Sequence, residues 1–298
     1  MSNRECREMR VGFIGLGQMG GPMCLNLLRA SQTIVAYDIV TERLNPIVGA
    51  GAEAGRSPAD VASRTGVTVL SLPTPAAVVE VVRGPDGILA GARAGHLVID
   101  TSSVSPSTSR EMAQACHERG VRYLDAPVSG GVRAAEQGTL TIMAGGEREV
   151  FEAAKPWLEI LGKKIFYVGR SGSGSMMKLI NQLLFLSGVA AVCEAVNLAR
   201  KAGVDDGTLW EVIPECSGAS YAFATRLKNF LMPGSFEPGF SVALAAKDAD
   251  LIMAAARELE APLPLGAEVH RLLQAAQRAG LGGKDVSALS LLLVEQKQ

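Results

Sequence analysis

The chain is poor in the residues that build metal centres and disulfide frameworks: 298 residues hold five cysteines and three histidines. Cys6, Cys24, Cys116, Cys193 and Cys216 are odd in number, widely spaced and contain no CxxC pair. Neither a disulfide scaffold nor a zinc cluster is expected, and reduced cytosolic thiols are the default. His96, His117 and His270 show no ligand spacing, so no metal is expected. Excess charge is also lacking. A formal net charge of −1 excludes the basic footprint of a nucleic-acid binder and the polybasic patch of a membrane-surface protein. An anionic substrate must therefore be drawn in by local positive charge. Met1–Arg10 is polar and mixed in charge, without the apolar stretch of a signal peptide, and a cytoplasmic location is expected. The most apolar long run, Leu183–Ala199, is interrupted by Glu194 and Asn197 and is marginal in length for a bilayer, so it reads as a buried helix of a soluble domain.

Apolar residues at 48% and charged residues at 20% allow a sizeable core, and the length suits two domains. The first half alternates short apolar runs (Val11–Ile14, Thr33–Tyr37, Val67–Ser71, Leu97–Asp100) with helix-length stretches such as Met19–Ala30 and Ser57–Ser63. Further strands are expected at Val121–Leu124, Thr139–Ala144 and Ile165–Val168. This alternation predicts an α/β Rossmann domain, a doubly wound and mostly parallel sheet with helices on both faces. After the glycine-rich segment Gly169–Gly174 helical periodicity takes over, beginning with a long helix that ends near Gly203. The expected organisation is a dinucleotide-binding domain over 1–169 and an all-α domain, for substrate binding and subunit packing, over 170–298.

Residues 15 to 20 read Gly15-Leu16-Gly17-Gln18-Met19-Gly20, a GxGxxG turn between a strand and a helix. Gly15 serves the tight turn, Gly17 the approach of a pyrophosphate, and Gly20 the packing of helix on strand. The helix N-terminus offers free N–H groups to the phosphates. Asp38 ends the second strand 18 residues beyond Gly20, near the spacing of the acid that binds the adenosine ribose. A carboxylate there favours NAD over NADP, with Arg43 as the residue able to oppose it.

Three later segments carry candidate chemistry. Asp125-Ala-Pro-Val-Ser129-Gly130-Gly131 is a loop whose N–H groups and hydroxyl suit a carboxylate, or is simply a turn. Lys178 and Asn181 share a helix face with Ser175, Leu179 and Gln182 at its edges. The apolar neighbourhood Met176–Leu186 is unusual for a surface lysine. A partly desolvated lysine exchanges a proton near neutral pH. Lys247-Asp248 is either a structural ion pair or a second cation for the cleft.

These motifs, in this order along nearly the whole chain, resemble the β-hydroxyacid dehydrogenase family, which includes 3-hydroxyisobutyrate dehydrogenase and tartronate semialdehyde reductase. The resemblance implies hydride transfer between NAD, with NADP as the alternative, and a small β-hydroxy acid. It implies Lys178 as acid/base, Asn181 beside it, and Ser129, Gly130 and Gly131 on the substrate carboxylate. It also implies cofactor contacts from Gln18, Met19, Leu72, Pro73 and Ser103, and Lys247 at the nicotinamide end. Gln182 stands where a second asparagine is usual, and Ala77 where some members carry a cofactor-binding asparagine. The Asn181-Gln182 pair, with Cys216-Ser-Gly-Ala-Ser-Tyr221, lies nearer the branch acting on threonate-like sugar acids. The family implies a homodimer or homotetramer. The competing readings are a reductase of imines or other carbonyls on the same fold, and a non-enzymatic dehydrogenase-like scaffold.

Overall fold

A computed structural model describes residues 10–237 and 239–294. Cys6 and the first nine residues of the expected dinucleotide-binding domain lie outside the described residues. The chain divides into two compact units after Lys178, inside a long helix.

Among the described residues the first unit has nine strands: β1 (Val11–Ile14), β2 (Ile34–Tyr37), β3 (Glu53–Ala54), β4 (Val67–Leu70), β5 (Leu97–Asp100), β6 (Arg122–Asp125), β7 (Val128–Ser129), β8 (Leu140–Gly145) and β9 (Gly162–Gly169). Their order is β3-β2-β1-β4-β5-β6-β8-β7, with β9 beside β8. The ladders from β3 to β6 are parallel. β8 runs antiparallel to β6 and β7, and β9 parallel to β8. The mostly parallel Rossmann sheet expected from the alternation is therefore present. The two-residue strands β3 and β7 and the reversal at β8 were not expected, because such short strands carry no periodicity.

Every residue of β1, β4 and β5 is buried. Period-two alternation sends Val11, Phe13, Val67, Val69, Leu97 and Ile99 into one core, and Ile14, Leu70 and Val98 into the other. Each such side chain contributes about 2 kcal/mol by leaving water. The covering helices are α1 (Gly20–Arg29), α2 (Pro58–Arg64), α3 (Pro75–Arg83), α4 (Pro106–His117), α5 (Gly131–Gln137) and α6 (Arg148–Leu161). Three start alike. Ser57, Thr74 and Ser105 each accept a bond from an N–H in the helix they precede, and each is followed by a proline that fixes the first helical φ.

α7 (Ser173–Lys201) carries the chain into the second unit, which is helical: α8 (Asp206–Val212), α9 (Tyr221–Arg226), α10 (Val242–Glu258), α11 (Pro264–Arg278) and α12 (Leu289–Val294). Asp285 is its polar hub. Its carboxylate accepts from the backbone N–H groups of Phe240 and Ser287 and pairs with the nearly buried Arg226 at 3.1 Å. α7 corrects one expectation. It is not buried throughout: Met177, Ile180, Leu184 and Leu198 are exposed along it, and 44% of its most apolar window is buried. By length and composition alone it could cross a membrane. Apolar residues lie on both the buried and the exposed sides of α7, so apolarity alone does not mark the open face.

Candidate active site

The glycine turn follows β1 and is held by its neighbours. Gly15, at φ +92°, donates to the Tyr37 carbonyl, and a Cβ there would lie 2.3 Å from the Ser71 carbonyl oxygen. A Cβ on Gly20 would lie 1.9 Å from the Gly15 carbonyl oxygen, whereas a Cβ on Gly17 would meet nothing within 4 Å. Two glycines thus serve internal packing and the third faces open space. Gln18 is exposed and Met19 half-buried, and the Met19 side chain does not cap α1. An open glycine before an uncapped helix start fits a pyrophosphate, so the residues present suit a dinucleotide.

Asp38 is where the ribose acid was expected, but its carboxylate is already engaged. Oδ2 accepts from Leu16 N–H at 2.6 Å and Oδ1 from Val40 N–H at 2.8 Å, with Arg43 at 3.5 Å. The acid therefore also shapes the glycine turn, and the half-exposed Arg43 stands beside it. After β4, Leu72 is half-buried beside Gly15, and Pro73 is exposed. Leu72 N–H donates to Ser102 Oγ at 2.9 Å. The residue before Ser103 thus organises this loop, a role the sequence reading missed. Ser102 is itself fixed by Asp100, which accepts from Ser102 N–H and from the Tyr123 hydroxyl. Burial raises the Asp100 carboxyl above its ordinary range.

Ser129 does not lie in a loop, as expected, but ends β7. Gly130, at φ +132°, precedes α5, which opens at Gly131. The edge pairing of β7 with β8 imposes this structure on a segment whose glycines read as a turn. Lys178 is buried, and its Nζ donates to the Val128 carbonyl at 2.9 Å, in the peptide that joins Val128 to Ser129. The acid/base candidate and the carboxylate-binding candidate are therefore one peptide unit apart.

Asp125, at the end of β6, stands in register with Asp100. Its Oδ1 accepts from Gly172 N–H at 2.8 Å and its Oδ2 from Ser175 N–H at 2.9 Å. Burial pushes its carboxyl up to about 7, against those two donors, which favour the ionised form.

In the second unit Asn181 donates to Gln182 Oε1, Gln182 donates to Asp248 Oδ2 at 2.6 Å, and Asp248 Oδ1 pairs with Lys247 at 2.9 Å. Asn181 lies less than one turn beyond Lys178 on α7, as its spacing implied. Gln182, which differs from the family pattern, is the side chain that joins α7 to the Lys247-Asp248 pair. That link spans 66 residues of sequence.

Residues 10–169 match the family model for the NAD-binding domain of 6-phosphogluconate dehydrogenase. Residues 172–293 match that for the NAD-binding of NADP-dependent 3-hydroxyisobutyrate dehydrogenase. The chain belongs to the β-hydroxyacid dehydrogenase family. It is an oxidoreductase that moves a hydride between NAD(P) and the CH–OH group of a small hydroxy acid. It is 40% identical to 2-(hydroxymethyl)glutarate dehydrogenase of Eubacterium barkeri, over 95% of this chain and 94% of that one. It is 34% identical to the NAD-dependent L-serine dehydrogenase of Pseudomonas aeruginosa, over 95% and 97%. The 3-hydroxyisobutyrate dehydrogenase of Mycobacterium tuberculosis, solved with L-serine, superposes with a TM-score of 0.88 at 32% identity, covering 96% of this chain and 99% of that one.

Proposed function

We propose that this dehydrogenase oxidises the primary alcohol of a 3-hydroxypropanoate substituted at carbon 2, giving the 3-oxo acid, with NAD preferred over NADP and Lys178 as the acid/base group. 3-Hydroxyisobutyrate, L-serine and 2-(hydroxymethyl)glutarate, named for the relatives, share this skeleton and differ at carbon 2: methyl, amino or carboxyethyl. What is common to them is a carboxylate one carbon away from a carbinol. The observation that carries the reading is the Lys178–Val128 bond, which holds an amine at the peptide leading into Ser129–Gly131.

NAD, when bound, supplies the nicotinamide ring that accepts the hydride. Ser129, Gly130 and Gly131 hold the substrate carboxylate and fix which carbon is presented. Lys178 Nζ takes the hydroxyl proton as the carbinol becomes a carbonyl, and returns it in reduction. The Val128 carbonyl keeps the amine aimed while it exchanges that proton. Gly17 leaves room for the pyrophosphate, and the Asp38 carboxylate, with Arg43 paired to it at 3.5 Å, disfavours a 2′-phosphate. Imine reduction does not call for a buried lysine beside a carboxylate cradle, and the scaffold reading leaves both features without a purpose. The exposed apolar face of α7 is covered, in this proposal, by a second copy of the chain.

Initial rates with 3-hydroxyisobutyrate, L-serine, glycerate, 2-(hydroxymethyl)glutarate and threonate, each with NAD and NADP, test the reading. Turnover of a carbon-2-substituted hydroxypropanoate with NAD is expected. Threonate as the best substrate, or NADP as the better cofactor, would overturn it.

A further inference from the structure

We propose that Asp125 is a positioning residue of the reaction: its carboxylate clamps the first turn of α7 and so fixes where Lys178 presents its amine. The inference rests on the acid/base role of Lys178. The first N–H groups of a helix have no partner within it. In α7 the first helical bond runs from Met176 N–H to the Gly172 carbonyl, so Ser175 N–H must bond elsewhere. It bonds to Asp125 Oδ2, while Gly172 N–H bonds to Oδ1. Acceptors on both sides of a planar group are a property of a carboxylate. An asparagine would turn its NH2 towards one of the two N–H groups. The site is also closed: a Cβ built on Gly145 or Gly174 would come within 2.9 Å of Oδ2.

Ser175 and Lys178 are three residues apart on one helix face, so a displacement of the first turn is carried to the amine. Asp125 ends β6 and Val128 opens β7, with only Ala126 and Pro127 between them. That segment holds the helix backbone at one end and the ammonium at the other. The proton transfer needs Nζ within hydrogen-bond reach of the substrate hydroxyl, and a misplacement of about 1 Å costs up to about a hundredfold.

The test compares Asp125→Asn, Lys178→Ala, the double variant, and Asp205→Asn. The last variant weakens a carboxylate cap on α8, where Asp205 accepts from Thr208 N–H. With NAD and the best substrate of the panel, Asp125→Asn is expected to lower kcat about ten- to a hundredfold and leave the NAD Kd within about twofold. Asp205→Asn is expected to keep kcat. In the Lys178→Ala background, Asp125→Asn is expected to add no further loss, because the group it positions is gone. A folded Asp125→Asn with wild-type kcat, or equal losses with and without Lys178, overturns the positioning role alone. An active Lys178→Ala overturns the acid/base reading and this inference with it. If Asp125→Asn does not fold, amide exchange in the wild type decides. A protected Ser175 N–H supports the clamp, and one exchanging at the rate of an unbonded amide overturns it.

Discussion

Gly17 and Gly20 separate cofactor binding from folding within one motif. A Cβ on Gly20 would sit 1.9 Å from the Gly15 carbonyl oxygen and 2.9 Å from its carbon, both backbone atoms. Turn and helix must part by about 1 Å, and forced overpacking of this kind costs about 1–3 kcal/mol. For a unit of this size that lowers Tm by about 3–10 °C. A Cβ on Gly17 meets nothing, and the residue is outside the left-handed region. Gly17→Ala should therefore keep Tm or raise it slightly, by loss of freedom in the unfolded chain worth up to about 1 kcal/mol. The same Cβ stands in the space assigned to the pyrophosphate, and the NAD Kd should rise at least about tenfold, or about 1.4 kcal/mol. Thermal melts with and without NAD read both effects. At about a hundred times Kd, NAD adds about 2.7 kcal/mol to the wild type, and Gly17→Ala should lose much of that increment. Wild-type NAD affinity in Gly17→Ala would refute the placement of the phosphates, and a wild-type Tm in Gly20→Ala would refute the packing argument.

Two further perturbations follow from the interior. His96 is buried between Thr68 Oγ1 and the Thr65 carbonyl, and burial lowers its pKa to about 4. The unfolded chain therefore takes up a proton between pH 6.5 and 4 that the folded chain refuses, and this contribution to stability is lost as pH falls through that window. Urea unfolding at pH 7 and pH 5 should show His96→Gln losing about 2 kcal/mol less than the wild type. Asp125, raised to about 7, pulls the other way in both proteins and cancels from the comparison. Asp285→Ala leaves Arg226 nearly buried without its 3.1 Å partner and frees the N–H groups of Phe240 and Ser287, and chemical denaturation should show a loss of about 3–5 kcal/mol.

The parts of the fold legible in the sequence are those whose cause is local. A strand buried on both faces is a continuous apolar run, as in β1, β4 and β5, and the GxGxxG turn is recognisable because it sits between such a run and a helix. The burial of Lys178 was legible from its apolar surroundings. Interactions between distant segments were not. Nothing near Asp125 announces that it will meet the N–H of Ser175, 50 residues on. Gln182 looked like a departure from the family pattern until its bond to Asp248 gave it a role. Beside Ser103, which the family resemblance ties to the cofactor, Ser102 makes the bond to Leu72, and a loop read only as polar does not say which hydroxyl turns inward. Asp38 stands at the spacing of a ribose-binding acid, and spacing does not encode the strand-end geometry by which its carboxylate also accepts from Leu16 and Val40.

The most direct measurement is the turnover of Lys178→Ala beside the wild type, with NAD affinity measured on both. Loss of the proton-transfer group should lower kcat by roughly a hundred- to ten-thousandfold while the NAD Kd stays within about twofold. A variant that keeps wild-type kcat, or that loses NAD binding together with turnover, would contradict the assignment of Lys178 as the acid/base group.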